Sequence, residues 1–427
     1  MRSKIILTFI ILVVLSLPLT GAICGGDKEE SDLTGEPITL TVWLAYEDKR
    51  NFDDVILSYQ ADRPNVSFEF IEKEGATYEQ DLVDAIAAKN GPDIAMLKQD
   101  WLPKHADKLV AMSESAESVE EFKEVFVDVV GNTMVIDNQI YGIPLSIDTI
   151  ALYYNTEHFF NADLNLPPTD WEEFIAVVKK ITKRDQYGQI TRSAAALGTS
   201  NNISNSQDIL YNLMIQNDTR MTSADNKSAT FNTSINKASG EPYYPGTKAL
   251  EFYNSFANPS KETYTWNDSM PNSVEAFARG EVSMILDYAY KRNTIYNLNP
   301  TLKFQIAPMP QIKDSQDPKT YPSFWAYCVT NNADHPNDAW HFLRYISSGS
   351  KSVKKEGAAE YYETMLDGNS VFKGQPYIAE NWYKSKEPAK VDEIFRTMIT
   401  NVVNGQSLQA AIDSASASVT EILQSKG

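Results

Sequence analysis

The sequence predicts an α/β protein built as two lobes, and three observations carry that expectation. The chain has 427 residues, more than the roughly 250–300 that a single hydrophobic core supports. Its 42% hydrophobic and 22% charged residues are those of a folded chain rather than a disordered one. Strand-like and helix-like periodicities alternate from the first folded segment onward, the pattern of a parallel open sheet.

The first of these segments, ITLTVW at 38–43, alternates apolar and polar residues at the period of a half-buried strand. Phe52, Val55, Ile56 and Tyr59 then recur at helical spacing until Pro64 stops the helix. Val66, Phe68 and Phe70 alternate again. Thr77 and Gln80 have the spacing of a capping box, opening a helix whose face is Tyr78, Leu82, Ala85 and Ile86 and which Gly91 closes. Pro92-Asp93 leads into a third strand at 94–97. This is β-α-β-α-β, and in such sheets ligands sit outside the carboxyl ends of the strands. Those ends are 44–48, 74–77 and 98–101.

A second cycle follows. Asp137-Asn138 is a tight turn between short strands at 134–136 and 139–141, and residues 150–154 read as a strand. Thr169 and Glu172 suggest another capping box, opening a helix with Phe174, Val178 and Ile181 on one face. Residues 217–245, rich in Asn, Ser, Thr, Lys and Gly, read as a surface loop or elaboration. A helix around Val274 and Phe277, strands at 282–286, 302–306 and 324–330, a helix holding Trp340 to Ile346, and two helices after Pro388 complete the chain.

Arg2 and Lys4 precede an apolar run at 5–17 and a short stretch of small residues, the pattern of a secretory signal peptide over 1–23. No later segment approaches ~18 apolar residues. The rest, from Cys24, carries 36 basic and 57 acidic residues, a net charge of -21. Such a surface repels nucleic acid and anionic lipid, so neither is an expected partner. Cys24 opens the stretch CGGDKEESDLTGEP, which resembles a bacterial lipoprotein cleavage site followed by a tether over 24–35. That resemblance makes Cys24 the lipidated residue and the membrane a partner through its acyl chains. The other reading is cleavage near Ala22 and a freely soluble product. Cys328, the remaining cysteine, lies in an apolar run and reads as a small buried hydrophobe.

Motifs for catalysis or cofactors are absent: no G-x-G-x-x-G, Walker loop, H-E-x-x-H, C-x-x-C or G-x-S-x-G occurs. No metal or cofactor is expected, and no carboxylate pair is singled out for glycoside hydrolysis. Distinctive instead are aromatic residues beside carboxylates at the predicted strand ends: Trp43, Tyr46 and Glu47 after the first, Asp100 and Trp101 after the third. Carboxylates accept hydrogen bonds from sugar hydroxyls, while indole and phenol rings cover the apolar faces of a sugar ring. For any one aromatic residue, a place in the core is the competing reading.

At this point the sequence resembles the extracellular solute-binding proteins of ABC importers, in the branch that includes maltose- and other sugar-binding proteins. The segments that carry the likeness are TLTVW (39–43), NGPDIAML (90–97), YGIPLSIDTIALYYNTEHF (141–159), PPTDWEEF (167–174), AFARGEVSMILDY (276–288), LKFQIAPMP (302–310) and HPNDAWHFLRYISS (335–348). The resemblance implies a two-lobed, periplasmic-binding-protein-like α/β fold of type II, with each lobe discontinuous and hinge crossovers between them. Lobe one is expected over 36–146 plus 327–374 and lobe two over 147–326 plus 375–427. It implies further ligand contacts at Asp148 in the first crossover, Tyr290 after the strand at 282–286, and Trp325 in the second crossover. Tyr153-Tyr154 invites comparison with paired ferric-ion tyrosines, but the equivalent L-Y-Y-N of this branch is structural. The expected function is a non-enzymatic, monomeric receptor that binds a sugar or oligosaccharide between its lobes, closes on it and presents one joint surface to the permease. Open alternatives are another small polar solute, such as a polyol or polyamine, and a secreted glycoside-acting enzyme.

Overall fold

The computed structural model describes residues 33–236, 240–348, 353–354 and 375–425. The predicted leader, Cys24, most of the tether and residues 355–374 of the expected first lobe lie outside the described residues.

The apolar residues gather into two cores. One draws on residues between 38 and 147 and between 324 and 353. The other draws on residues between 150 and 321 and between 382 and 419. The first begins with β1 (Ile38–Ala45), α1 (Asp53–Asp62), β2 (Val66–Lys73), α2 (Tyr78–Ala87) and β3 (Ile94–Lys98). Both β2 and β3 pair with β1 in parallel, the arrangement that α-helical crossovers allow.

The second core is layered on β4 (Asp148–Asn155), α3 (Trp171–Ile181), β5 (Ile190–Ala195), α4 (Ser206–Gln216), β6 (Val282–Tyr288), β7 (Phe304–Pro308) and β8 (Pro322–Ser323). Its sheet runs β7-β4-β6-β5 to an edge strand at Lys183–Arg184, with β8 also pairing β4. The chain then returns to the first core as β9 (Trp325–Val329) and α5 (Pro336–Ser348). Strand β9 runs antiparallel to β3 and to Ile143–Pro144, completing a five-stranded sheet. Helices α6 (Pro388–Val403) and α7 (Leu408–Gln424) close the chain against the second core.

Two passages between the cores run side by side. Ser323 of β8 pairs with Asp148 of β4 in the second sheet, and two residues later Trp325 pairs with Lys98 in the first. The change of sheet therefore falls between Ser323 and Trp325, slightly before the expected boundary after residue 326. A main-chain bridge from Thr320 to Ala379 ties the segment at 375–379 to the chain just before β8.

Several local expectations are corrected. Thr77 precedes α2, but its hydroxyl donates to Asp81 (3.0 Å) and caps no amide. The left-handed residue after α2 is Lys89, with φ of 61°, and not Gly91. Helix α3 is capped one residue later than expected: Asp170 accepts from the Glu173 amide at 2.8 Å, while Glu173 reaches back to the Thr169 amide. Its buried face is nonetheless Phe174, Val178 and Ile181 together with Trp171 and Val177. The polar segment 217–245 is pinned to α7 by hydrogen bonds from the Ala229 amide to Thr420 and from Asn232 to Asp413. The Asp137-Asn138 turn has φ of 50° and 59°, the left-handed pair that a two-residue hairpin needs.

Candidate functional site

The carboxyl ends of β1 and β3 meet the start of β9, and three aromatic side chains collect there. The Trp325 ring lies 5.1 Å from that of Trp101 at 78° and 5.7 Å from that of Tyr46 at 56°. Tyr78, fully buried, supports it from beneath at 6.0 Å. Tilted and edge contacts of this kind suit the ring quadrupoles and hold the indoles in place. Trp101 and Trp325 are half-buried, whereas Tyr46 is 76% exposed. Tyr46 leaves β1 with φ of 61°, which swings its ring over Gly75. A Cβ on Gly75 would stand 2.1 Å from that ring, so glycine is required for the approach.

Two of the expected contacts do not join this cluster. Trp43 is buried in the first core, with the Lys73 ammonium 3.7 Å over its ring. Most of β1 is covered on both faces, so an aromatic residue there is packing surface. Glu47 is engaged by the Asn51 side-chain amide at 2.7 Å.

Asp100 is nearly buried, and one oxygen is already taken. Its Oδ2 accepts from Lys384 at 2.8 Å and Lys98 at 3.4 Å, while Oδ1 has no hydrogen-bond partner among the described residues. Burial opposes the charge, but the two ammonium groups overcome it and hold the carboxyl down at about 2. Lys384 is itself buried, and it also donates to Asp392 at 3.1 Å. Its carboxylate partners overcome the cost of burial and keep the ammonium protonated well above the ordinary lysine range.

The second core supplies the facing groups. Asp148 accepts three main-chain hydrogen bonds, from Thr149 (2.7 Å), Ala289 (3.0 Å) and Tyr290 (2.9 Å). Burial pushes its carboxyl up to about 7 despite those amides, and the charge of Asp287 adds to the rise. Asp287, at the end of β6, accepts from Asn205 and from the Tyr288 amide, both at 2.8 Å, and burial raises it to about 6. Asp208, in the first turn of α4, accepts from the Tyr288 hydroxyl at 2.9 Å. Burial raises its pKa, against the pull of the Lys384 charge. Tyr290 is 55% exposed and stacks on buried Tyr288 at 5.8 Å and 10°.

The passages bring the two walls together. Asp148 pairs with Ser323, two residues from Trp325, and Trp325 pairs with Lys98, two residues from Asp100. Thus Tyr46, Asp100, Trp101 and Trp325 of the first core border Asp148 and Tyr290 of the second. Lys384, Asp208 and Asp287 have no local sequence signal; they arrive from three separate stretches and meet only in the fold. Tyr153 and Tyr154 are buried. Tyr153 donates to the Tyr288 and Ala289 carbonyls (2.7 and 2.9 Å) and Tyr154 to Gln305 at 2.5 Å, both structural roles. Among the described residues no cluster of three His, Cys, Asp or Glu side chains could hold a metal ion. The assembled groups offer exposed aromatic faces and acceptors, the chemistry of reversible polar binding.

A fold of two sheets joined by adjacent passages, with such groups beside them, defines a two-domain solute-binding protein. Residues 55–365 match the family described as bacterial extracellular solute-binding protein, and the chain belongs to that family. It is a binding protein and not an enzyme. A binding protein of Brucella abortus is 23% identical over 336 residues, covering 74% of this chain and 76% of that one. The galactooligosaccharide-binding protein of Bacillus subtilis is 23% identical over 182 residues, 42% of this chain and 41% of that one. Among solved structures, the cyclic α-maltosyl-1,6-maltose binding protein of Arthrobacter globiformis shares the fold with a TM-score of 0.73 at 20% identity, covering 91% of this chain and 99% of that one. The sugar-binding protein MalE of Xanthomonas citri does so with a TM-score of 0.71 at 19% identity, covering 90% and 97%. No helix of the described residues is long and apolar enough to cross a membrane.

Proposed function

We propose that the chain is the extracytoplasmic receptor of an ABC importer, a monomer that binds a neutral sugar or oligosaccharide between two lobes and delivers it to the permease. The observation that carries this reading is the aromatic row Tyr46–Trp325–Trp101 beside the carboxylates of Asp100 and Asp148, with the exposed Tyr290 ring stacked on Tyr288. Apolar sugar faces pack on the rings, and hydroxyls donate to the free oxygen of Asp100 and to Asp148. The lobes correspond to the two cores, with β9 belonging to lobe one. Export, with Cys24 acylated as the anchor, places the receptor at the outer face of the cytoplasmic membrane or in a periplasm. The oligosaccharide-binding relative supports the carbohydrate assignment.

A thermal-shift screen of mono- and oligosaccharides tests it. A bound sugar at a hundred times its Kd stabilises the protein by about 2.7 kcal/mol. One class of sugars should raise the melting temperature with no product formed on incubation. A second reading, a cationic solute such as a polyamine, is favoured by the three carboxylates Asp148, Asp208 and Asp287 in one patch. Stabilisation by spermidine and by no sugar would establish that reading instead.

A further inference from the structure

Lys384 belongs to the last segment of the second core, between Trp382 and α6, yet its ammonium lies 2.8 Å from Asp100 at the end of β3. It is 3% exposed. We infer that Lys384 is a positioning residue for ligand binding: carried by lobe two, it fixes the Asp100 carboxylate of lobe one, so that this acceptor is complete only when the lobes meet. The inference rests on the sugar-receptor reading of the same site.

The geometry supports it in three ways. First, the ammonium takes Oδ2 of Asp100 and leaves Oδ1, the oxygen without a partner among the described residues, as the one that accepts from a ligand. Second, Lys384 is anchored on its own side by Asp392 at 3.1 Å and by the Tyr211 ring at 5.4 Å, and Asp392 is in turn held by the Tyr211 hydroxyl at 2.9 Å. The cation is therefore a fixed part of lobe two and not a mobile surface chain. Third, the hydroxyl of Tyr321 and the side-chain NH2 of Asn212, whose Oδ1 accepts from the Tyr321 amide at 2.9 Å, are also buried without partners among the described residues. Tyr321 lies within the electrostatic reach of Lys384, Asp208, Asp100 and Asp392. Unfilled hydrogen-bonding capacity thus collects around Lys384, at the junction of the lobes.

When the lobes part, Asp100 keeps Lys98 and loses Lys384, whereas Lys384 keeps Asp392. The charged groups around the pair are Lys98 on β3, Asp208 on α4 and Asp392 on α6, with the phenols of Tyr211 and Tyr321.

The test uses the mature chain and the variants K384M, K384R and D100N. Galactobiose, mannobiose and maltotetraose are titrated calorimetrically between pH 7 and 4.5. The sugar that binds wild type should bind K384M at least tenfold more weakly. The ratio of wild-type to K384M affinity should widen as the pH falls, because removing the Lys384 ammonium, the largest charge holding it down, raises the Asp100 carboxyl. Asp148 and Asp287 titrate in both proteins and cancel in the ratio. Asp208, which also loses the Lys384 charge, is removed from it by repeating the pair on a D208N background, where the widening should persist. K384R should restore both effects. A constant ratio, or an unchanged affinity, would overturn the inference. Small-angle scattering without any sugar is a second arm. D100N, which leaves Lys384 on Asp392, and K384M should each enlarge the radius of gyration, and the double variant no further. An unchanged radius in both single variants overturns the cross-lobe role, while failure of every sugar to bind wild type overturns only the carbohydrate reading.

Discussion

Tyr290 is stacked on Tyr288 and has the Lys291 ammonium 5.3 Å over its ring, so the ring is already positioned before anything binds, although the residue is 55% exposed. Y290A should weaken sugar binding about tenfold, the ~1.4 kcal/mol expected of one aromatic contact. Its melting temperature should move little, because the ring is mostly exposed; calorimetric titration and a thermal melt give the two numbers. Gly75→Ala acts from a distance: the new methyl displaces the Tyr46 ring, and affinity falls while the first core stays intact. Asp148 carries a pH signature. Its carboxyl is raised to about 7 in the folded protein, above its unfolded value, so folding favours the protonated form. The unfolded chain releases this proton near pH 4 and the folded one near 7, so its contribution to stability falls as pH rises between those values. Relative to D148N, wild type should therefore lose melting temperature across that window and run parallel to it above. At this scale the sequence was a partial guide. Trp101, Trp325 and Tyr290 reach the site because strand ends and turns expose them, whereas Trp43 lies within a strand covered on both faces. Asp208, Asp287 and Lys384 are isolated letters whose meeting depends on tertiary structure.

Elements were legible where one face is apolar and the other wet. The spacing of Phe174, Val178 and Ile181 located α3, and alternation located β2 and the first half of β1, because burial imposes those periods there; from Val42 onward β1 is buried on both faces. Ends were less legible, since several residues compete for each cap. Thr169, Asp170 and Glu173 all bond at the start of α3, and only geometry shows that Asp170 is the cap. D170A should cost about 1 kcal/mol, whereas Thr77→Ala should be close to neutral, since the Thr77 hydroxyl caps no amide. Urea melts of the two variants distinguish these outcomes.

For the molecule as a whole, length alone called for two cores, but not for their interleaving, which came from the order of family-like segments. The cores share a site and main-chain passages but little apolar packing, so damage to one should be felt mainly there. Phe174 is 1% exposed between Trp171 and Phe256. F174A should cost about 3–5 kcal/mol through the cavity it leaves. Calorimetry should then show the second core melting ahead of the first, and saturating sugar should draw the two transitions back together.

Cys328, the fourth of the five residues of β9, is fully buried, with Gly142 packed so closely that a Cβ there would come within 2.8 Å of its sulfur. Burial also pushes the thiol far above its usual range, so the reactive thiolate is scarce in the folded state. In a chain begun after Cys24 it is the single sulfhydryl. The rate at which a maleimide dye consumes it is thus a clock for the opening of lobe one, running in native buffer without heat or denaturant. A sugar that slows the clock would report its own binding through a thiol buried in the core of lobe one.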